Sequence, residues 1–557
     1  MRSSRALVTP WLFLAPFAAG PVHGQVLVRS LPGSAFPGTT EGMSVDGCGD
    51  VDHDDVDDVI VGVTTPGGGG VVLVLSSRTG LVLHKLSNTS VGGFGAKVAG
   101  LGEIDGDGRA DFGIVASGLA PSLPSQVRIV SGGTGLDLMD LLSPAGGSDL
   151  AAVGDVNSDA FSDVYVFAAG NTSLGPRAIH YGLSLATGRV IQDQGEVAGL
   201  GDLTGDGVSD YAIALASPVG RVLLYSGATG AFLRMIADPG AGGGLFAQSV
   251  APAGDVNADH VADLLVGEPL YDGLATDCGR VFVLSGADGS VLCTIEGSIA
   301  NEQLGDRGRL DGAGDVDGDG CADFVLGRPD AAGGAGSAEV WSGRTGQLLF
   351  AVTGDTPQDR FGLAVSGAGD ANFDELGDIV VASLEGERVG IYRIDRAGVP
   401  YCFGDGAWTG CPCANFSLPG QEAGCQNSRN AGATLAAVGT PSVANDTVRF
   451  LGGHMPGGST VVFFQATDTD GGTGELFGDG LLCLGGTFLR LGTRTIGNQG
   501  TVAFGADVPA SPTIAYRGQV PATGGTRYYQ ARYRNSANFC SPATFNTTSA
   551  LRLDWVP

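Results

Sequence analysis

A nine-residue acidic pattern recurs seven times along this chain, with starts 53, 52, 47, 53, 60 and 55 residues apart. A period near fifty residues belongs to propellers or solenoids, in which each repeat is one supersecondary unit that buries its apolar face only against its neighbours. Positions 1, 3, 5 and 9 of the pattern carry oxygen donors throughout. The first three loops offer Asp50, Asp52, Asp54 and Asp58; Glu103, Asp105, Asp107 and Asp111; and Asp155, Asn157, Asp159 and Asp163. The next two offer Asp202, Thr204, Asp206 and Asp210, then Asp255, Asn257, Asp259 and Asp263. The last two offer Asp315, Asp317, Asp319 and Asp323, then Asp370, Asn372, Asp374 and Asp378.

A second motif keeps the same beat. An apolar run ends in a Gly turn and a further apolar run follows, as at Val71–Leu75 with Thr79-Gly80, Val127–Ser131 with Thr134-Gly135 and Val222–Ser226 with Thr229-Gly230. Tight hairpins need such turns. Each period therefore holds four strands; in the second these are expected at Ala96–Leu101, Phe112–Ala116, Val127–Ser131 and Leu136–Leu142. No stretch keeps a 3.6-residue apolar period, which disfavours helical solenoids. Four-stranded sheets repeated seven times make a seven-bladed β-propeller, an all-β fold that leaves only short protected edges. The seventh repeat ends after its third strand, near Ile394, and a spare strand, Val26–Leu31, precedes the first repeat. The simplest closure has that strand complete the last blade.

Calcium takes six to eight hard oxygen ligands. Side chains at positions 1, 3, 5 and 9, with a backbone carbonyl at 7, can supply them. Of the 59 acids in the chain, 24 occupy these 28 positions. A solvated acidic turn explains any one loop, but seven in register point to up to seven Ca²⁺ ions. Mg²⁺ fits a ligand set this rich in protein groups less well, and an EF-hand would need a Glu at position 12 and flanking helices. Gly at position 6 permits the turn through positive φ. It occurs at Gly108, Gly207 and Gly320, whereas Asp55, Ala160, His260 and Glu375 stand there in the other loops. Those four sites are expected to be strained or weaker.

These loops resemble the FG-GAP repeats typified by the integrin alpha-chain propeller. Phe94-Gly95 and Phe361-Gly362 keep the FG pair, Phe246-Ala247 varies it, and Gly267-Glu268-Pro269 and Gly327-Arg328-Pro329 stand where GAP is expected. The resemblance covers about residues 26–400. It implies calcium in the hairpins between first and second strands, in a structural role, with ligands bound on the opposite face. No inserted adhesion domain or leg domain is legible here, so integrin function as a whole does not transfer. On the opposite face, Tyr271, Asp272, Asp277 and Glu302 fall in long loops, an aromatic among acids that would suit a partner.

The ends differ from the middle. Arg2, Arg5 and an apolar stretch to Gly20 read as a secretory signal over residues 1–24. The chain is then secreted, periplasmic or displayed at a cell surface, and no later segment is apolar enough to span a membrane. From residue 401 to 557 the acidic loops stop and six cysteines appear: Cys402, Cys411, Cys413, Cys425, Cys483 and Cys540. Apolar alternation at Thr447–Leu451, Ser459–Gln465, Leu481–Leu484, Thr501–Phe504 and Tyr528–Tyr533 predicts a disulfide-pinned β-sandwich. Cys278 and Cys293 flank a hairpin of the propeller and could bridge it.

Function is bounded more than named. A net charge of −29 argues against nucleic acid or an anionic membrane as partner. The six His form no HExxH or HxH zinc pattern, and no GxSxG elbow stands out, so no catalytic residue is assigned. The leading expectation is an exported, calcium-stabilised propeller that binds protein or glycan on the face away from the acidic loops. The alternatives are an enzyme acting on extracellular polymer within the channel, and a structural envelope protein.

Overall fold

The computed structural model describes residues 25–557 except 32–41, 66–68, 89–91, 117–124, 144–147, 169–176, 183–184, 192, 194, 218, 241–242, 319, 373–375, 385–387, 395–396, 408, 418–422, 440, 445, 447, 470, 472, 498–499, 506–512, 536–538 and 540–541. The expected export segment, Asp319, Asp374, Glu375 and Cys540 lie outside the described residues.

Seven four-stranded antiparallel sheets form from residues 25 to 394. Blade 1 is Gly42–Gly49, Asp58–Thr64, Gly70–Leu75 and Val82–Asn88, and blade 2 is Phe94–Gly102, Asp111–Ala116, Ser125–Val130 and Asp137–Ser143. Blade 3 comprises Ser148–Gly154, Asp163–Ala168, Arg177–Tyr181 and Ala186–Val190, and blade 4 comprises Glu196–Gly201, Asp210–Leu215, Arg221–Tyr225 and Phe232–Ala237. Blade 5 runs through Ser249–Gly254, Asp263–Glu268, Arg280–Leu284 and Val291–Glu296. Blade 6 runs through Leu310–Gly314, Asp323–Arg328, Ser337–Trp341 and Leu348–Thr353. Blade 7 has Ala364–Gly369, Asp378–Ser383 and Arg388–Ile394, and its fourth strand is Gln25–Leu31 from the other end of the chain. That strand pairs antiparallel with the third, from Gln25 opposite Ile394 to Leu31 opposite Val389. The closure read from the missing strand is the one observed.

The core lies between blades rather than inside them. One buried apolar cluster joins each neighbouring pair, and the cluster of Met43, Val45, Val380 and Ile391 joins blade 1 to blade 7 and closes the ring. The FG phenylalanines belong to these wedges: Phe94 packs with Val72 and Val74 of the preceding blade, and Phe246 and Phe361 are likewise buried between blades. The residue after each of them needs positive φ, which Gly95 and Gly362 supply freely and Ala247 adopts at 64°.

Each acidic loop leaves its first strand through a bulge. The residue before position 1 is Gly in all seven blades, with φ between 63° at Gly369 and 73° at Gly254. It pairs with the position-9 Asp after a register shift, as Gly49 does with Asp58. A Gly in the left-handed region is what this bulge type requires. The sequence carries that signal as a Gly immediately before every acidic loop.

Residues 399–557 form a second unit of two packed sheets and a small two-stranded hairpin, Glu475–Phe477 with Gly480–Leu482. A five-stranded sheet has the order Val399–Tyr401, Phe545–Trp555, Gly525–Arg534, Thr460–Thr469, Leu484–Thr495. A three-stranded sheet has Thr434–Val438, Arg449–Gly453 and Val502–Gly505. Phe450, Phe463, Phe504 and Tyr529 fill the space between them, with the Phe463 and Phe504 rings stacked at 4.6 Å. Disulfides join Cys402 to Cys483 and Cys411 to Cys425, and Cys413 is also disulfide-bonded. Val438 and Leu451 of this unit enter the apolar cluster between blades 6 and 7, which includes Val316 and Leu376.

The bridge that Cys278 and Cys293 could form is absent; both are thiols. Cys293 lies opposite Val283 in the hairpin, five residues along from Cys278. Five strand rungs separate α-carbons by about 17 Å, whereas a disulfide holds them within about 7 Å.

Candidate metal centres

The position-9 Asp is the anchor of each loop. All seven, from Asp58 to Asp378, are fully buried. Asp58 Oδ2 accepts the amide of Val51 at 3.0 Å, and its Oδ1 accepts the amide of Ser77, just past the third strand, at 3.0 Å. The same two bonds recur at Asp111 with Ile104 and Gly132, at Asp163 with Val156 and Gly182, and at Asp210 with Leu203 and Gly227. They recur again at Asp263 with Val256 and Gly286, and at Asp323 with Val316 and Gly343. One carboxylate thus staples the start of the loop to the far hairpin. Its Oδ1 keeps a further lone pair, whereas at Asp111 and Asp323 the Oδ2 also accepts the position-3 amide at 3.3 Å.

Position 1 cups the turn. Asp50 accepts the amides of His53, Asp54 and Asp55 at 2.6, 3.0 and 2.9 Å. Asp202 accepts those of Thr204, Gly205, Asp206 and Gly207. Position 5 is held locally: Asp54, Asp107, Asp159, Asp206 and Asp259 each accept the amide two residues on. For non-glycine residues the wrap costs backbone strain, because positions 4 and 6 both take positive φ. His53 and Asp55 adopt 65° and 64°, Ser158 and Ala160 adopt 62° and 72°, and Ala258 and His260 adopt 61° and 68°. In loops 2, 4 and 6, Gly106, Gly205 and Gly318 meet the same demand at position 4, a sequence signal separate from the acids.

Carboxylate oxygens from positions 1, 3 and 9 converge in three loops. Asp50, Asp52 and Asp58 offer oxygens within 4.8 Å of one another, as do Glu103, Asp105 and Asp111, and Asp315, Asp317 and Asp323. These are the loops with Asp at position 3. Asn157, Thr204, Asn257 and Asn372 stand there in the other four, oxygen donors without the third charge. The position-5 acids Asp54 and Asp107 are not in these groups. The donor set fits a hard cation. Asp52 Oδ1 and Asp378 Oδ1 are buried with no hydrogen-bond partner, a costly state that an ion at each would relieve. Burial pushes Asp58 and Asp111 up to about 7 and Asp163 and Asp263 up to about 6, with the neighbouring acids adding to it. Burial raises Asp323 and Asp378 well above the carboxylate range.

The loops are also joined to one another. The amide at position 8 donates to the position-1 carbonyl of the preceding blade: Ala110 to Asp50 at 2.9 Å, Ser162 to Glu103 at 2.9 Å, Ser209 to Asp155 at 3.0 Å, Ala322 to Asp255 at 2.8 Å and Gly377 to Asp315 at 2.9 Å. Asp57 repeats the bond across the ring's closure, to the Asp370 carbonyl at 3.4 Å, which makes six of the seven junctions; among the described residues the bond is not found between blades 4 and 5.

The C-terminal unit reaches this face. A Cβ on Gly318, in the sixth loop, would fall 2.4 Å from Leu451 Cδ1. On the opposite face the expected aromatic among acids is not free. The Tyr271 ring lies 3.7 Å from the Arg280 guanidinium, which pairs with buried Glu268 at 2.5 Å. Glu302 is buried and held by Arg328 at 2.5 Å. The cations that occupy these groups sit on strands of neighbouring blades, Arg280 on the third strand of blade 5 and Arg328 on the second strand of blade 6.

The FG-GAP repeat family model matches residues 246–284, from the blade 5 FG-like pair through its third strand. Integrin alpha-PS2 of Drosophila melanogaster is 29% identical over 220 residues, which covers 35% of this chain and 15% of that protein. Integrin alpha-5 of Xenopus laevis is 29% identical over 163 residues, 27% of this chain and 15% of its own length. The matches thus span about 15% of the length of each integrin chain. The crystal structure of BBS1N in complex with ARL6DN, soaked with lead, overlays 67% of this chain and 97% of its own at a TM-score of 0.41 and 12% identity. No helix among the described residues is long and apolar enough to cross a membrane.

Proposed function

Starting from a chain of the FG-GAP, integrin-alpha-like family, we propose an exported, calcium-stabilised β-propeller that serves as a binding module for protein or glycan. In this reading residues 1–24 direct export, 25–400 form the propeller and 401–557 form the cysteine-rich sandwich. The carrying observation is the convergence of three carboxylates in loops 1, 2 and 6, with Asp52 Oδ1 buried and unpartnered. Positions 1, 3 and 9 would hold Ca²⁺ in each loop, with position 5 adding a donor, so that Asp319 and Asp374 belong to the sixth and seventh sets. The ion supplies charge neutralisation to a chain of net charge −29. Its role is structural, because the loops tie strand ends together.

The binding surface in this reading is the face away from the loops. Leu451 already covers part of the loop face at Gly318, and the opposite face carries the long connections around Tyr271 and Arg328. The test is thermal unfolding of the full chain in Ca²⁺ and in EGTA with bound metal counted, followed by protein and glycan arrays probed with the loaded chain. Several Ca²⁺ per chain, a raised midpoint and array binding support the reading. Absence of metal sinks the calcium part, and a blank on both arrays sinks the binding part.

A further inference from the structure

The rung four residues before each acidic loop lies on the innermost strand of its blade, beside the central channel. It is Ala99, Ala151, Ala198 and Ala251 in blades 2 to 5. In blades 1, 6 and 7, neighbours in the ring, it is Asp46, Asp311 and Ser366. These three line both of the cavities that meet in the channel, of about 620 and 1230 Å³.

Ser366 is 2% exposed. Its Oγ lies 2.6 Å from Asp46 Oδ1 and 2.6 Å from Asp311 Oδ2, with the Gly367 carbonyl at 3.1 Å. A hydroxyl has one proton to give. With both carboxyls ionised, at least one of the 2.6 Å oxygen contacts holds no hydrogen and is repulsive. The other carboxyl oxygens are engaged by backbone: Asp46 Oδ2 accepts the Gly100 amide at 3.0 Å and Asp311 Oδ1 the Gly312 amide at 2.9 Å. Those bonds hold both acids against the serine.

We propose that Asp46, Ser366 and Asp311 form a proton-holding clasp across the seam of the ring, in which one carboxyl stays protonated and donates to Ser366. Losing that proton loosens blade 7 from blades 1 and 6. Blade 7 is the one closed by the distant Gln25–Leu31 strand, so the clasp acts where the ring is joined. The hydroxyl fills the space between the two acids and leaves no place there for a substrate bond, which sets the group apart from a catalytic pair.

Burial pushes Asp46 up to about 6. Burial, with the Asp46 charge next, pushes Asp311 up to about 7, so the buried pair holds a proton between them. The other charged groups lining the two cavities are Lys97, paired with Asp149 at 2.7 Å, Glu196, 3.5 Å from Arg307, Arg177, which lies over the Phe167 ring, and Asp57 and Asp370. Lys97 favours the ionised form of Asp46. The Cys48 thiol, on the same strand as Asp46, is pushed up by burial and stays neutral. The innermost strand of blade 5, Ser249–Gly254, brings no titratable group. An acid whose folded pKa is raised contributes stability that is full below its unfolded value, near 4, and is lost as pH rises through the folded value, here about 7.

The test is the thermal midpoint of the full chain across pH, in excess Ca²⁺ and again in EGTA, which keeps it independent of metal binding. In Asp311→Asn the amide donates permanently to Ser366 while its oxygen still accepts from Gly312. Its midpoint should match wild type at about pH 5 and exceed it by about 2 °C or more at about pH 8. Ser366→Ala should do the reverse and lose more at the lower pH. Parallel wild-type and Asp311→Asn curves overturn the clasp, and so do equal losses in Ser366→Ala at both pH values. If Asp311→Asn does not fold, the serine variant decides alone.

Discussion

Asp57 and Asp370 grip each other across the seam of the ring, 313 residues apart in sequence: Asp57 Oδ2 accepts the Asp370 amide at 3.0 Å, and the Asp57 amide donates to the Asp370 carbonyl at 3.4 Å. In the other six loops position 8 is Ala110, Ser162, Ser209, Ala262, Ala322 or Gly377, with no acid to add the second bond. Blade 7 meets blade 1 without a covalent connection between its last strand and the rest of that blade, and the extra bond falls at that junction. Asp57→Ala should cost about 1–3 kcal/mol, the penalty for orphaning one amide. Hydrogen exchange should quicken in blades 1 and 7 and stay unchanged in blade 4. Uniform quickening in all blades would show that the bond does not serve the seam.

Positions 3 and 9 should separate by metal. Asp58→Ala strips two buried amides, those of Val51 and Ser77, and should cost about 2–5 kcal/mol both in Ca²⁺ and in EGTA. Asp52→Asn removes a charge whose Oδ1 has no partner. Its cost should appear in Ca²⁺ and vanish or reverse in EGTA, where it relieves repulsion. Urea unfolding of both variants in both conditions gives the answer. Equal costs of Asp52→Asn in the two would count against an ion in the first loop.

Metal affinity should rise with pH. Burial holds Asp58 and Asp111 at about 7, so near neutrality the ion competes with protons. Each proton displaced should improve the apparent Kd by up to about tenfold per pH unit below that value. In EGTA the sign is opposite: the raised folded pKa means stability is lost as pH climbs from about 4 to about 7. The gap between midpoints in Ca²⁺ and EGTA should therefore widen from about pH 5 to about pH 8. A constant gap would mean that these acids are not ligands.

Ala160→Gly should stabilise the third loop. Ala160 sits at φ 72°, where a Cβ costs about 1–2 kcal/mol, and Gly returns part of that to unfolded-chain entropy. A net gain of about 0.5–1 kcal/mol is expected, and calorimetry of the single variant measures it. A loss would mean that the methyl group makes a contact worth more than the strain.

Much of the architecture was legible because it repeats and is local. Seven loops in register, hairpins with Gly turns and a surplus strand at Val26–Leu31 led directly to seven closed blades. In the sandwich, alternation pointed to five strand regions, reached only the first residue of Leu484–Thr495 and passed over the short Val399–Tyr401 and Glu475–Phe477; two further strands, Thr434–Val438 and Phe545–Trp555, show why. The first is buried at every residue, so it shows no alternation. The second hides four polar residues, Asn546 to Ser549, in the interior, each bonded to the surrounding chain, as Asn546 is to the Cys425 carbonyl at 3.2 Å. Tyr271 and Glu302 looked available because their arginines lie on strands whose proximity no loop sequence discloses.

The sequence by itself determined the count of blades, the place of closure and the oxygen-rich loops, because each rests on spacing within about fifty residues and on the φ demands of Gly. Tertiary structure decided which of those oxygens meet, which acids serve as staples, and that Asp46, Asp311 and Ser366 share one point in the channel. The last three stand 55 and 265 residues apart. Only ring closure brings the first blade beside the last two, so a chemistry that needs all three cannot be read from any one repeat.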